Sequence, residues 1–134
     1  VEATKVLEEA SAAKELENAM QAAEKAKEAA KKAETRYTTA GGEKTAKEYE
    51  AVEKALARLD SALNATPQDT KAIEEATSKL VEATQALEKA SAAKELENAI
   101  QAAEKAKEVG KKAETRYTAA GGEKTAKEYE AVEK

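Results

Sequence analysis

The amino-acid sequence repeats itself with a period of 80 residues, and this repetition limits what the chain can fold into. Residues 1–54 align without gaps with residues 81–134 and are identical at 47 of those 54 positions. Near-identity over such a length is typical of a tandem array, in which each unit is one supersecondary structure that packs on its neighbours. We therefore expect a fold that can be placed in series, and an array longer than the 134 residues of this chain.

The composition indicates that the repeated unit is helical. Charged residues make up 37% of the chain, Ala dominates the apolar fraction, and Phe, Trp, His and Cys are absent. This composition is typical of long helices and coiled coils. Because four Tyr are the only aromatic residues, the core must come from closely packed Ala and Leu side chains. We predict an all-α fold.

Charge and hydropathy argue against several classes of function. The 23 basic and 27 acidic residues are mixed along the chain, whereas a nucleic-acid interface needs a basic face. No run of residues approaches the ~18 consecutive apolar residues of a membrane span. The absence of Cys excludes disulfides and thiolate metal sites.

Helix signals divide each period into three segments. The first helix, helix A, is predicted over residues 11–38, and the Gly41-Gly42 pair ends it because Gly readily adopts the left-handed conformation of a helix end. The second helix, helix B, is predicted over residues 43–63. These lengths and the short turn between the helices favour neighbouring, antiparallel helices.

The third predicted helix, helix C, has a clear start and no visible end. Thr66 is predicted as its N-cap, with Pro67 at the first helical position and Asp69 near the positive end of the helix dipole. From Pro67 to Ala119 the one breaker is Gly110, which a helix tolerates at a cost of about 1 kcal/mol. We therefore predict that helix C continues without a break into the next helix A.

Apolar residues spaced by three and four positions mark the buried face of each helix. Helix B carries the largest of these residues, whereas helices A and C carry rows of Ala with a few larger side chains. Three such helices joined by short turns bury their faces best as an antiparallel three-helix bundle. The predicted core residues are Leu16, Ala19, Ala23, Ala26, Ala30, Ala33, Tyr37, Tyr49, Val52, Leu56, Leu59, Leu63, Ile73, Ala76, Leu80, Ala83, Leu87 and Ala90.

The apolar face changes sides at the joint between helices C and A. Lys94 stands where the face should continue from Leu87, and the next large apolar residue is Leu96. Nine residues at ~100° each amount to half a turn beyond two full turns, so one helix serves two successive bundles. We predict tandem antiparallel three-helix bundles that share a continuous long helix, in spectrin-like stacking.

This architecture predicts three parts of the chain. Residues 1–10 are the tail of a preceding helix C, and residues 11–90 form one complete three-helix repeat. Residues 91–134 form a partial second repeat with helix A and a short helix B. The uncovered apolar face of that partial repeat favours self-association.

The stretch AGGEKT, which begins at Ala40 and again at Ala120, has the residue types of a phosphate-binding loop but not their order. Such a loop places Gly directly before Lys and follows a strand, whereas Glu43 intervenes here and a helix precedes. We interpret the stretch as the corner between helices A and B, with Glu43 and Lys47 as a charge pair on the first turn.

The remaining polar residues give no sign of a catalytic centre. Most carboxylates lie opposite the apolar faces beside Lys, as is typical of a solvated helix surface. We predict that the protein is not an enzyme and that it has no catalytic, cofactor-binding or metal-binding residues. One row of hydroxyls flanks the face of helix C and is interpreted as structural rather than ice-binding: Thr70, Thr77, Thr84 and Ser91.

Two tyrosines are the candidates for contact with a partner. Tyr37 and Tyr117 each precede a glycine corner in the sequence ETRYT. Such a ring either plugs the end of a bundle or lies exposed for recognition. Arg36 and Arg116 stand beside them, where they could cap helix carbonyls or take part in the same contact.

Three features of the full repeat follow one another in order. The first predicted helix ends near the Tyr37-Thr38 pair, and the second ends with Leu before the turn at residues 63–66. The third has a spaced apolar pattern at Ile73, Ala76, Leu80, Ala83 and Leu87. In these features the repeat resembles the FIVAR-type repeats of Gram-positive surface proteins. Family members usually carry a Trp or another large residue early in helix B, where Tyr49 is the nearest ring here, and helix A is longer here than in many members.

The resemblance implies an extracellular protein attached to the cell wall, and no binding residues carry over from it. The predicted function is an elongated stalk or spacer in a bacterial cell-surface protein, with neighbouring repeats of the same chain as partners. An alternative is an adhesin, in which repeated helical faces give avidity for a host or matrix protein. A second alternative is an intracellular coiled-coil scaffold.

Overall fold

The structure, a computed structural model, describes every residue from Val1 to Lys134. The chain is all-helical, with 84% of its residues in helices and no strand, which confirms the all-α part of the predicted fold. It divides into two compact units, Val1–Lys94 and Glu95–Lys134. The helices are α1 (Glu2–Thr39), α2 (Lys47–Asn64), α3 (Thr70–Ala119) and α4 (Lys127–Glu133).

Helix α3 is continuous for 50 residues. It passes without interruption through Ser91 and Lys94 and includes Gly110, so the predicted continuation of helix C into the next helix A is confirmed. At ~1.5 Å per residue the helix is about 75 Å long. Helix α1 likewise joins residues 2–10 to the first predicted helix A in a single helix of 38 residues.

The start of α3 differs from the prediction of a Thr66 N-cap. The helix begins at Thr70, and the Asp69 carboxylate accepts a hydrogen bond from the backbone N–H of Lys71 at 3.0 Å, as an N-cap side chain does. The Thr66–Pro67 peptide bond is cis. The Gln68 amide donates a hydrogen bond to the Leu63 carbonyl at 2.7 Å, so this segment also satisfies the end of α2.

The corner between α1 and α2 confirms the predicted role of Gly41 and corrects the start of the second helix. Gly41 has a φ of 93°, and its N–H and that of Gly42 donate to the carbonyls of Thr38 and Tyr37, which is the Schellman arrangement. Helix α2 begins at Lys47 rather than at residue 43. The intervening turn is closed by the Ala46 N–H and the Glu43 carbonyl.

This turn also removes the predicted charge pair between Glu43 and Lys47. Glu43 lies outside the helix, so the two residues are not one helical turn apart on its surface. The Glu43 carboxylate instead accepts a hydrogen bond from the Thr45 hydroxyl at 3.4 Å.

One hydrophobic core holds the unit Val1–Lys94 together. Three helices contribute to it: α1 mostly Ala, and α2 and the first part of α3 mostly larger side chains. Burying one Leu, Ile or Val contributes ~1.5–3 kcal/mol, and Ala contributes less, so most of the stabilisation comes from α2 and α3. The buried residues are Ala19, Ala23, Ala26, Ala30, Ala33, Tyr37, Tyr49, Val52, Leu56, Leu59, Ile73, Ala76, Leu80 and Leu87.

Two hydroxyls of α3 lie inside the unit rather than flanking it. Thr84 and Ser91 are buried, and neither hydroxyl has a hydrogen-bond partner. Thr77 is half-buried and donates to the Ile73 carbonyl at 2.7 Å. The interpretation of the whole row as a flank was therefore wrong for its last two members, because the helix turns them toward the core.

The unit Glu95–Lys134 buries much less apolar surface than the unit Val1–Lys94. It contains the rest of α3 and the seven-residue helix α4, none of whose residues is buried. Five of its large apolar side chains are exposed, whereas Tyr129 is half-buried: the exposed ones are Leu96, Ile100, Val109, Tyr117 and Val132.

Candidate interaction surfaces

The glycine corner of the first repeat encloses a pair of tyrosine rings. Tyr37 and Tyr49 are each only 8% exposed, and their ring centroids lie 6.2 Å apart at an interplanar angle of 33°, a favourable tilted arrangement. A Cβ added to Gly42 would overlap the Tyr37 ring. Gly42 is therefore needed for the close approach of the ring, whereas Gly41 is needed for its left-handed backbone.

The predicted contact residues of this corner differ in accessibility. Tyr37 closes the end of the core, as one of the two sequence interpretations described, while Arg36 is exposed in the last turn of α1. A positive charge at this position interacts favourably with the negative end of the helix dipole. A contact of Tyr37 and Arg36 with a partner remains a prediction.

The corner of the second repeat has an equivalent pair of tyrosine rings, and its first ring is more exposed than that of the first repeat. Tyr117 and Tyr129 have centroids 6.3 Å apart at 38°, and Gly122 again lies against the Tyr117 ring. Tyr117 is 37% exposed, and Arg116 beside it is exposed as well. Tyr117 and Arg116 are therefore accessible to a partner, and their binding role also remains a prediction.

The hydrogen bonds of the corner are not those of a phosphate-binding loop. A phosphate loop needs backbone N–H groups that point outward at the ligand. The N–H groups of Gly41 and Gly42 instead point into the end of α1, where they donate to its carbonyls at 3.0 and 2.9 Å. The same bonds recur at Gly121 and Gly122.

A pair of carboxyl groups beside the first corner was not predicted from the sequence. Burial raises the pKa of Glu34, and the adjacent Glu53 raises it further by its negative charge and by hydrogen bonding. The positive charges of Lys31 and Lys44 lower it by less. Burial and the same two carboxylates also raise the pKa of the Tyr49 phenol.

Whether the Glu34 and Glu53 carboxyl groups can form a hydrogen bond with each other depends on their protonation state. The buried Oε2 atom of Glu34 has no hydrogen-bond donor. Two ionised carboxylates cannot bond to each other, whereas a protonated Glu34 can donate its O–H to Glu53. The raised pKa of Glu34 is therefore consistent with its unpaired oxygen.

The second repeat reproduces this carboxyl pair. A hydrogen bond with Glu114, followed by its charge and by burial, raises the pKa of Glu133, while Lys124 and Lys111 oppose the shift. The buried Oε2 atom of Glu114 also lacks a donor. The pair could have been suspected because Glu34 directly follows the buried position Ala33, but its partner depends on how α1 and α2 meet.

A shallow apolar groove along α1 was also missed. Met20, one of its lining residues, is 37% exposed, and Ile100 stands at the same position of the second repeat. The spacing of Leu16 and Met20 by four residues was the available signal. The groove is lined by Ala13, Leu16, Glu17, Met20, Gln21, Glu24 and Lys25.

Comparison of the chain with protein-family models, with curated proteins and with solved structures gave no match. No group of three or more His, Cys, Asp and Glu side chains is placed to hold a metal ion. None of the four helices contains an apolar stretch that could traverse a lipid bilayer.

Proposed function

We propose that the chain is part of a tandem helical array that acts as an elongated stalk or spacer of a bacterial cell-surface protein. In this proposal, antiparallel three-helix bundles follow one another and share a long helix at each junction. The observation that carries the proposal is the unbroken course of α3 from Thr70 to Ala119, through the junction at which the sequence predicts that the apolar face changes sides. A helix shared between bundles resists bending at the junction, as a spacer requires.

Two further observations support the proposal. The core residues of the first repeat come from α1, α2 and α3 together, as a three-helix bundle requires. The resemblance to FIVAR-type repeats supports location at the cell wall. Each repeat would add on the order of 40 Å if its long axis followed the first helix.

The shared helix can be tested in a recombinant protein of four repeats. Ala92→Pro at each junction removes a backbone hydrogen bond and kinks or breaks the helix. We expect a shorter maximum dimension in small-angle X-ray scattering, whereas Ala92→Ser at the same positions should preserve it. Equal dimensions for the Pro and Ser variants would contradict the shared-helix proposal.

The proposed location has its own test in the parent gene. A signal peptide and a C-terminal wall-sorting signal are expected there, and a gene that lacks both would refute location at the cell wall. The shared helix would be unaffected by that result, so the two parts of the proposal fail separately.

A binding role is the second candidate, and the accessibility of Tyr117 and Arg116 favours it. Saturable binding of this chain to host-matrix components, lost on Tyr117→Ala with Arg116→Ala, would support an adhesin. Binding that survives both changes would remove these residues from the contact. Exposed Lys105→Ala is a suitable control elsewhere on the same helix.

A further inference from the structure

The structure contains one helix sequence in two surroundings. In the first repeat the Ala face of α1 is buried, with Ala23 and Ala30 fully so. The corresponding face of the second repeat lies on α3 and is exposed, except for the half-buried Gly110. Its members are Leu96, Ala99, Ala103, Ala106, Gly110, Ala113 and Tyr117. We call this set the α3 face.

The first repeat shows which kind of side chain packs against such a row of Ala. Five large buried side chains of its core lie on α2 and on the first part of α3 within residues 55–90. They form an amphipathic helix pair with a seam of Leu and Ile. The principal members of the seam are Leu56, Leu59, Ile73, Leu80 and Leu87.

The differences between the two repeats preserve this surface. Six of the seven differing positions are exposed in the first repeat, and Ala30 is the buried exception. Its counterpart Gly110 is smaller, so it adds no obstacle to a helix packed against the face. The second repeat therefore retains nearly every contact group that the first repeat uses.

Charge complementarity supports the same occupant. In the first repeat the Lys27 ammonium on α1 forms an ion pair with the Asp60 carboxylate on α2 at 2.8 Å. Lys107 occupies the position of Lys27 in the second repeat and is exposed. A docked segment with the sequence of residues 55–90 would bring an equivalent of Asp60 to this Lys.

We infer that the α3 face is a docking site for the helix pair of another copy of the repeat, with the chemistry of residues 55–90. The inference depends on the equivalence of the two repeats and not on the stalk function. A second copy of this segment is needed at the α3 face, because residues 55–90 already contribute to the core that buries α1. A partner covalently joined to its site has a high effective concentration, so the chain's own segment should stay in place.

The test uses the full chain and a synthetic peptide of residues 55–90. Hydrogen exchange with mass spectrometry can follow the two repeats separately, because fragments that include positions 20 or 30 differ in mass from those with positions 100 or 110. We expect saturable binding of one peptide per chain. Amide protection at residues 99–113 should rise by at least about tenfold, with no change at residues 19–33.

A matched pair of variants identifies the surface. Ala103 corresponds to the fully buried Ala23, whereas Ala102 corresponds to the exposed Ala22. Both Ala102 and Ala103 are exposed in this chain, so Glu at either position should leave the fold intact. Ala103→Glu should abolish the protection, and Ala102→Glu should retain it.

The peptide provides a second control. Ile73→Lys within the peptide places a charge in its seam and should prevent binding. No protection by the wild-type peptide, or equal protection in the Ala102→Glu and Ala103→Glu chains, would overturn the inference. Self-association of the chain without peptide that Ala103→Glu disperses and that leaves the hydrogen exchange of residues 55–90 unchanged would also overturn it, because the face would then bind a second α3 face.

Discussion

At the scale of single residues, the clearest way to raise the stability of the protein is to replace the unpaired polar groups inside its core. Ser91 is fully buried, and its hydroxyl lacks a hydrogen-bond partner. A buried hydroxyl without a partner costs ~1–3 kcal/mol relative to one in water. The repeat supplies a natural reference, because Ser11 occupies the same position and is exposed.

Ser91→Ala should therefore stabilise the protein by more than Ser11→Ala. Both changes gain the higher helix propensity of Ala, up to ~0.5 kcal/mol, but only Ser91→Ala removes a buried unpaired hydroxyl. We expect a difference of about 1 kcal/mol between the two variants in the free energy of unfolding from urea denaturation. Equal effects would mean that Ser91 has a partner in solution.

The carboxyl pair predicts a pH-dependent stability. Because the pKa of Glu34 is higher in the folded chain than its ordinary value of 4.5, the folded state binds the proton more tightly than the unfolded state. Stability should rise as the pH falls from neutral through the raised pKa toward 4.5, and should be lost again as the pH rises.

Glu34→Gln removes the charge that causes this dependence. We expect the variant to have a higher Tm than the wild type at pH 7, and the gain to shrink as the pH approaches 4.5. Thermal unfolding followed by circular dichroism at several pH values measures both effects. Exposed Glu28→Gln serves as the control, and a Tm gain of Glu34→Gln that does not change with pH would contradict this explanation.

At the scale of helices, each boundary is set by a few backbone and side-chain hydrogen bonds. Asp69 caps α3, and Gln68 satisfies the last turn of α2, so the loop 65–69 serves both helix ends at once. Thr66, which the sequence pattern favoured as the cap, is exposed and lies three residues before Asp69.

Asp69→Ala should consequently destabilise the protein by about 1 kcal/mol, the usual cost of losing an N-cap side chain. Thr66→Ala should change the stability by less than about 0.5 kcal/mol. Urea denaturation of the two variants checks the assignment. A larger loss for Thr66→Ala than for Asp69→Ala would restore Thr66 as the cap.

The helices could be predicted from the sequence, and their exact starts could not. Apolar spacing and the rarity of Gly and Pro are local signals, so the long helix through Gly110 followed from them. Ser, Thr and Asp are all acceptable N-caps, and the choice of Asp69 over Thr66 depends on the path of the chain between two packed helices.

The candidate surfaces, like the helix starts, could be predicted only in part, because they depend on contacts between helices. The Tyr37 ring was recognisable because it precedes the glycine corner. Its burial, in contrast to the exposure of Tyr117, depends on the covering helices. The contact of Glu34 with Glu53 joins two helices, and no periodicity within one helix reports which side chains of the other will face it.

At the scale of the whole molecule, the two repeats should differ in local stability although their sequences are nearly the same. Residues 19–33 contribute five buried Ala to a core, whereas the equivalent residues 99–113 contribute none. Local opening is easiest where few apolar contacts hold a helix. Val109 and Gly110 replace Ala29 and Ala30 and lower the helix propensity of the second segment by about 1 kcal/mol or more, so packing and propensity act in the same direction.

Native-state hydrogen exchange should show this difference directly. Amides of residues 99–113 should exchange on the order of 10- to 100-fold faster than those of residues 19–33. Equal protection in the free chain at low concentration would show that the second segment has gained a covering that its exposed side chains do not indicate. Dilution of the sample separates self-association from an intrinsic property of the helix.

The unbroken course of α3 has a consequence for how an array of such repeats would order itself. Nucleation is the costly step of helix formation, and each further residue adds a hydrogen bond to a turn that already exists. A folded core around residues 70–91 therefore holds a ready nucleus for residues 92–119 of the same helix. We expect the repeats of an array to fold one after another along the chain, beginning with the best-packed repeat and continuing to its neighbours.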